Sequence, residues 1–300
     1  MAQFKFKAIG TSWVIDIYKE LDNKQQAEIL TRIMQRIDEF DKAYSRFRPD
    51  SIVTHISKKS GNYEFPEDSK ILFEIYFDLY KKTNGFFTPL IGQMLIDAGY
   101  DASYSLKQKK DLLAPPKWEE VMEFHSNFKQ TGKQTLSIIK PIQLDFGAAG
   151  KGYIIDLVGK VLVEYGIDSY CINAGGDILY KNSDTKSEPI RTGLENPQNT
   201  EQVIGICNLK NKSICGSAGN RRAWGNFTHI MNPHTLVSPK DITAVWIVAD
   251  TALIADALTT CLFFVEPKTL SGSYSFEHVI LYKDGSFDKS PNFPGELFTH

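Results

Sequence analysis

Leu144-Asp145-Phe146-Gly147-Ala148-Ala149-Gly150-Lys151-Gly152-Tyr153-Ile154-Ile155-Asp156 is the stretch on which the reading of the fold turns. Ile142 to Phe146 reads as a strand, Gly147 to Gly152 as a glycine-rich turn, and Tyr153 to Tyr165, closed by Gly166, as a helix. Ser169 to Asn173 follows as a strand before Gly175-Gly176, so the block predicts a strand-helix-strand unit. Backbone amides gathered at such a turn, beside the positive end of a helix, suit a phosphate. The spacing fits neither a Walker loop, GxxxxGK[ST], nor GxGxxG. Tight packing of strand against helix is the other reason for so many small residues, and the block alone leaves both open.

Toward the N-terminus, Phe4 to Tyr18 predicts one or two strands broken at Gly10. Gln25 to Tyr44 predicts a helix, because Ile33, Ile37, Phe40 and Tyr44 fall on one apolar stripe. Ser69 to Lys82 predicts a second helix, ended by Asn84-Gly85 as a left-handed cap. Tyr100 to Gln134 has no clear period, and Pro115-Pro116 marks a loop within it. Toward the C-terminus, Thr243 to Val248 reads as a strand and Thr251 as the cap of a helix reaching about Phe264. A last hairpin is expected between Glu277 to Tyr282 and the residues after Asp284-Gly285. No repeat, low-complexity tract or linker divides the chain. The expected fold is α+β: mixed, largely antiparallel sheets with packed helices in one unit over residues 1–300, allowing for a small subdomain around 100–140.

A hydrophobic share of 42% against a charged share of 23% is too apolar for a disordered chain. The formal charge of -2 gives no electrostatic reason to expect nucleic acid. Cys171, Cys207, Cys215 and Cys261 are scattered, without a CxxC pair or metal spacing, so reduced, buried thiols are expected. The first residues lack the basic start, apolar run and small-residue site of a signal peptide. Ala244 to Val265 is interrupted by Asp250 and Asp256, short of the roughly 20 apolar residues a bilayer needs. The expectation is a cytoplasmic protein without a membrane span.

Two further groups carry chemistry. Asp256 and Thr260 lie four apart on the last long predicted helix, so a carboxylate and a hydroxyl project from one face. They suit a hard cation such as magnesium; an ordinary helix surface, with the threonine bonded to its own backbone, gives the same spacing. Cys215-Gly216-Ser217-Ala218-Gly219-Asn220 is another glycine loop, and His229 follows between apolar neighbours. An imidazole there can take a proton from an attacking hydroxyl, or serve as a structural side chain.

In this order the segments resemble the FAD:protein FMN transferases, the ApbE-type flavin transferases, over nearly the whole chain. Gly10-Thr11-Ser12-Trp13 matches that family's opening strand, and Tyr44-Ser45-Arg46-Phe47-Arg48-Pro49-Asp50-Ser51 its S-x-[FY]-x-P-x-S segment. Asn84 to Pro89 is similar to its G-x-F-D-P turn, and Leu144 to Asp156 to DLGGIAKGYAVD. Asn173-Ala174-Gly175-Gly176-Asp177 follows NxGGD, Ser217 falls at the serine of TSG, His229 to Thr235 tracks HIxDPxTG, and Asp256 to Thr260 follows DALxT. The chain departs from the pattern at Asn232-Pro233-His234-Thr235-Leu236, where DPRTG would stand, at Ala218-Gly219 after the loop serine, and at Thr88 for the acid of FDP.

The resemblance implies a T-fold-related architecture and a set of roles. It implies magnesium held by Asp256, Thr260 and the backbone carbonyl of Gly150, with His229 and Asp256 as catalytic residues. It further implies that Thr11, Tyr44, Ser45, Gly147, Lys151, Asn173, Gly175, Gly176, Asp177 and Ser217 line the flavin nucleotide. The reaction implied is magnesium-dependent transfer of FMN from FAD to a threonine or serine hydroxyl of an acceptor protein, releasing AMP. A magnesium-dependent FAD pyrophosphatase and a non-catalytic FAD carrier are the two rival readings.

Overall fold

The computed structural model describes residues 1–126, 134–220 and 222–298. Strands β1 (Ala2–Ala8) and β2 (Thr11–Ile17) form a hairpin whose two turn residues, Ile9 and Gly10, both have positive φ, 50° and 71°. This is the twist-matched geometry of a two-residue hairpin. Helix α1 (Asn23–Tyr44) opens on a reciprocal cap in which Asp22 accepts from Gln25 N and the Gln25 side chain accepts from Asp22 N. Its expected stripe of Ile33, Ile37, Phe40 and Tyr44 is buried.

Next come α2 (Ile52–Ile56), β3 (Gly61–Phe65), α3 (Ser69–Lys82), a 3-10 turn (Pro89–Ile91), α4 (Gly92–Ala98), α5 (Trp118–Val121), β4 (Met122–Ser126) and β5 (Gln134–Ile138). The end of α3 is as expected, with Asn84 and Gly85 at φ 52° and 84° and Gly85 N–H donating to Tyr80 O at 2.7 Å. β5 pairs with β3 on one side and β4 on the other in a three-stranded sheet, and Phe65, Trp118, Met122, Leu136 and Ile138 belong to the main core cluster. The unassigned stretch from Tyr100 to Gln134 is irregular up to Lys117; its residues 127–133 lie outside the described ones.

The rest of the chain supplies α6 (Gly147–Glu164), β6 (Tyr170–Ala174), β7 (Asp177–Lys181), β8 (Ile190–Asn196), β9 (Asn199–Leu209), β10 (Ser213–Ala218), β11 (Ala223–Trp224), β12 (Phe227–Thr228), β13 (Ile242–Ala249), α7 (Ala252–Cys261), α8 (Lys268–Ser271), β14 (Phe276–Tyr282), β15 (Phe287–Lys289) and β16 (Gly295–Leu297). The central sheet runs β1-β2-β6-β7-β10-β13-β14-β15, with antiparallel neighbours throughout. Its side chains alternate between two cores. Ile172, Val245 and Ile247 join the helices on one face; Cys171, Trp246 and Val248 join Leu194, Cys207 and Leu209 of a second sheet, β16-β9-β8, on the other. The result is the expected α+β architecture in three layers: helices, central sheet, small sheet.

Two expectations around the opening motif are corrected. Ile142 to Phe146 is not a strand: Leu144 and Phe146 are buried, but Ile142 N–H and Asp145 N–H donate to the carbonyls of Ile56 and Pro89, two separate segments that offer no continuous edge. Nor is Gly147 to Gly152 a turn. The helix starts at Gly147, so the small residues form its first turns and the strand-helix-strand unit reduces to a helix followed by a strand. Each glycine in a helix costs about 1 kcal/mol relative to alanine. Packing supplies the reason they are tolerated: a Cβ on Gly152 would stand 2.0 Å from the Ala252 carbonyl oxygen in α7.

Candidate active site

A cavity of about 1100 Å³ opens between the helical layer and the edge of the small sheet. That is slightly more than the 300–1,000 Å³ or so of a drug-sized ligand site. Its wall contains all the residues singled out from the sequence: Thr11, Tyr44 and Ser45; Gly147, Gly150 and Lys151; Asn173, Gly175, Gly176 and Asp177; and Ser217, His229, Asp256 and Thr260. Seven segments far apart in the chain therefore meet at one place.

The floor is ionic. Lys151 Nζ lies 2.7 Å from Asp177 Oδ2, and Asp177 is 2% exposed in its side chain. Asp177 Oδ1 accepts from Gly216 N at 3.1 Å, tying β7 to β10. Asp256 Oδ2 accepts from Gly152 N at 2.8 Å. Burial, followed by the neighbouring charge of Asp177, pushes the Asp256 carboxyl up. Burial works against the Lys151 ammonium too, but Asp177 and Asp256 outweigh it and hold its pKa above the ordinary lysine value.

The turn between β6 and β7 is built by its glycines. Gly175 and Gly176 have φ of 64° and 100°, a region an L side chain resists. Asn173 Oδ1 accepts from Gly176 N at 2.9 Å, and a Cβ on Gly175 would stand 2.1 Å from Thr11 Oγ1. Thr11 and Asn173 therefore shape this wall as well as line it. Ser217 Oγ lies 2.8 Å from Thr259 Oγ1, and Thr259 Oγ1 donates to Asp256 O at 2.6 Å. The threonine bonded to its own helix backbone is thus Thr259, while Thr260 stands in the cavity wall.

The remaining predicted residues are less available to a ligand. Tyr44 is 4% exposed, with its ring packed against Phe40, Phe65, Phe146 and Tyr153. The backbone amides at the start of α6 do not form an open cradle. Gly147 N–H is taken by Asp145 Oδ1 at 2.7 Å, Gly150 N–H by Phe146 O at 2.8 Å, and Gly152 N–H by Asp256. The positive charge on this wall is carried by the side chain of Lys151 instead.

His229 follows β12, with its backbone N–H on Arg222 O at 3.1 Å and its ring Nδ1 buried without a partner among the described residues. Burial first, then the charges of Arg222 and Lys151, bring its pKa down to about 4. The ring is neutral at ordinary pH and able to accept a proton. Beyond it, Asn232 Oδ1 accepts from His234 N and Thr235 N, and Leu236 has φ 63°. Leucine at the glycine position of DPRTG thus takes a backbone conformation that favours glycine, and asparagine takes over the capping of the loop. Thr88 likewise accepts from Leu90 N at 3.2 Å, where the pattern has an acid.

Sequence reasoning passed over a second charged group. Arg46, 2% exposed in its side chain, pairs through Nε with Asp145 Oδ2, donates to Tyr100 O at 2.8 Å and lies over the rings of Phe47 and Tyr100. Arg222 donates to Tyr100 Oη at 2.5 Å. Tyr104 stacks on Phe47 with centroids 5.6 Å apart, so arginines and aromatic rings together form one wall. Arg46 and Phe47 stood in the quoted motif without a role. Tyr100 and Arg222 fall in segments without periodicity and are joined only by folding.

An oxygen donor set of one carboxylate, one hydroxyl and one backbone carbonyl is suited to magnesium, which binds few protein ligands and keeps water or phosphate in its shell. Burial, and then the charge of Asp177, raise the cost of ionising Asp256, and a cation at Asp256 would lower that cost. Among the described residues there is no group of three or more His, Cys, Asp or Glu arranged as a metal cluster. Among them, too, no helix is long and apolar enough to cross a membrane.

A sequence profile described as the ApbE family matches residues 9–273, and the chain belongs to this family. It is 26% identical over 284 residues to a protein of Buchnera aphidicola named FAD:protein FMN transferase, covering 88% of this chain and 79% of that one. A protein of the same name from Escherichia coli K12 is 22% identical over 308 residues, covering 97% and 88%. The fold matches the crystal structure of an ApbE protein from Thermotoga maritima with a TM-score of 0.78 at 20% identity, covering 98% of this chain and 99% of the other. It matches the flavin transferase ApbE from Vibrio cholerae with a TM-score of 0.76 at 20% identity, covering 96% of each.

Proposed function

We propose that this protein is an FAD:protein FMN transferase. The observation that carries the reading is the convergence of seven separated segments on one cavity with an ionic floor, in a chain whose relatives bear that name. Magnesium held by Asp256, Thr260 and the Gly150 carbonyl would neutralise charge on the FAD pyrophosphate and on the departing AMP. Lys151 and Arg222, both in the cavity wall, would hold the phosphates from the protein side. The oxygen of a threonine or serine hydroxyl on the acceptor protein bonds to the FMN-side phosphorus, and the bond from that phosphorus to the bridging oxygen breaks. AMP leaves with the electron pair, and the hydroxyl proton passes to the neutral ring of His229. The pyrophosphate's negative charge would offset the fields of Arg222 and Lys151, which add to burial in keeping the ring's basicity low.

The test is incubation of the protein with FAD, magnesium and a generic FMN-acceptor domain, read by intact mass. An FMN-sized addition that EDTA prevents is the expected result. FMN and AMP accumulating at the same rate without an acceptor would replace the reading by an FAD pyrophosphatase. FAD retained without turnover would replace it by a flavin carrier.

A further inference from the structure

Asp156 lies four residues beyond Gly152 on α6, on the face that meets α7, and it takes no part in the cavity wall. Its Oδ1 accepts from Ala252 N at 2.9 Å and its Oδ2 from Leu253 N at 2.8 Å. These are the first two amides of α7, groups with no partner inside their own helix. Thr251 caps the next, donated by Ile254 N. Most of the N-terminal capping of α7 therefore comes from another helix. One turn along, the bond runs the other way, from Gly152 N of α6 to Asp256 Oδ2 of α7 at 2.8 Å.

Two attachments of opposite sense, about 6 Å apart along the axis, fix how far α7 has slid along α6 and how it is turned. Asp256 and Thr260 sit on successive turns of α7, so any slide or rotation of the helix moves both together. We infer that Asp156 is a positioning residue for the magnesium site, setting α7 so that the Asp256 carboxylate and the Thr260 hydroxyl converge on the Gly150 wall. The inference rests on the metal assignment made above. Partners that orient metal ligands from behind are usually worth about 10–100-fold in metal affinity.

The test titrates the full-length protein, free of FAD, with magnesium chloride by calorimetry, for wild type, Asp156→Asn and Asp256→Asn. Asp156→Asn should weaken magnesium binding by about 10–100-fold. It should raise the magnesium half-saturation of AMP release by the same factor, while the KM for FAD at saturating magnesium stays unchanged. Asp156→Glu keeps the charge but stands one methylene longer; it should show the same loss if the Asn variant does not fold. A variant at Asp156 that melts earlier but binds magnesium like wild type overturns the positioning role and leaves a plain helix cap. Wild type that binds no magnesium, or Asp256→Asn that binds as well as wild type, overturns the metal assignment and this inference with it.

Discussion

Gly152 of α6 and Ala252 of α7 approach so closely that a Cβ on the glycine would stand 2.0 Å from the alanine carbonyl oxygen and 2.7 Å from Asp256 Cβ. Neither obstacle is the far end of a flexible side chain, so the helices themselves must part. Gly152→Ala gains up to about 1 kcal/mol in helix propensity, but overpacking of this kind costs about 1–3 kcal/mol. The expected net effect is a lower urea midpoint, with a loss of FMN transfer larger than the fraction unfolded, because Asp256 moves with α7. A variant of wild-type stability and activity would show that the contact is soft.

Asp256→Asn should abolish magnesium-dependent AMP release without unfolding the protein. Burial and Asp177 already disfavour the Asp256 carboxylate, so a neutral amide removes an electrostatic cost in the metal-free protein. Thermal melts near pH 8 without magnesium should show the variant at least as stable as wild type. Wild-type rates in this variant would remove Asp256 from the catalytic group.

His229 makes stability depend on pH with a defined sign. Its folded pKa of about 4 lies below the ordinary value of 6.5, so between those limits the unfolded chain binds the proton and the native protein does not. Stability is complete above pH 6.5 and falls as the pH drops toward 4, by about 3 kcal/mol for this group. His229→Gln should flatten that slope in urea unfolding measured across the window. It should also lower kcat by about 10²–10⁴, the usual contribution of a positioned proton acceptor.

Lys151→Met leaves Asp177 buried beside Asp256 without its cation. Removing one partner of a buried pair usually costs more than removing both, by about 1–3 kcal/mol for the group left behind. The double variant Lys151→Met with Asp177→Asn should therefore melt above the single Lys151→Met variant. The reverse order would mean that Asp177 is satisfied without Lys151.

Helix boundaries were legible wherever a cap and a periodic face agreed. α1 has the expected buried stripe through Ile33, Ile37, Phe40 and Tyr44, α7 has the expected cap at Thr251, and α3 ends in Asn84-Gly85. The break in the chain at Gly10 and the hairpin between β14 and β15 were visible from turn residues and alternation, whereas the pairing of β1 with β2 was not foreseen. The stretch from Gly147 to Gly152 was misread because local rules place glycine in turns, and nothing nearby announces the second helix that needs a groove. Ile142 to Phe146 was misread because an apolar run says that side chains are buried, not that a neighbouring edge exists to make it a strand.

The sequence by itself determined the α+β class, the long helices, the buried faces and part of the set of residues around the cavity, since each of these is written in periodicity, capping or a motif of adjacent positions. Tertiary structure decided what those residues touch. Lys151 meets Asp177, Asp256 meets Gly152, Asp156 caps a helix almost a hundred positions away, and Arg46 and Arg222 both bond to Tyr100. Such contacts join segments with no local signal for one another. Their energies depend on burial and on which charges share a low-dielectric space, and both exist only once the helices have closed on the sheet.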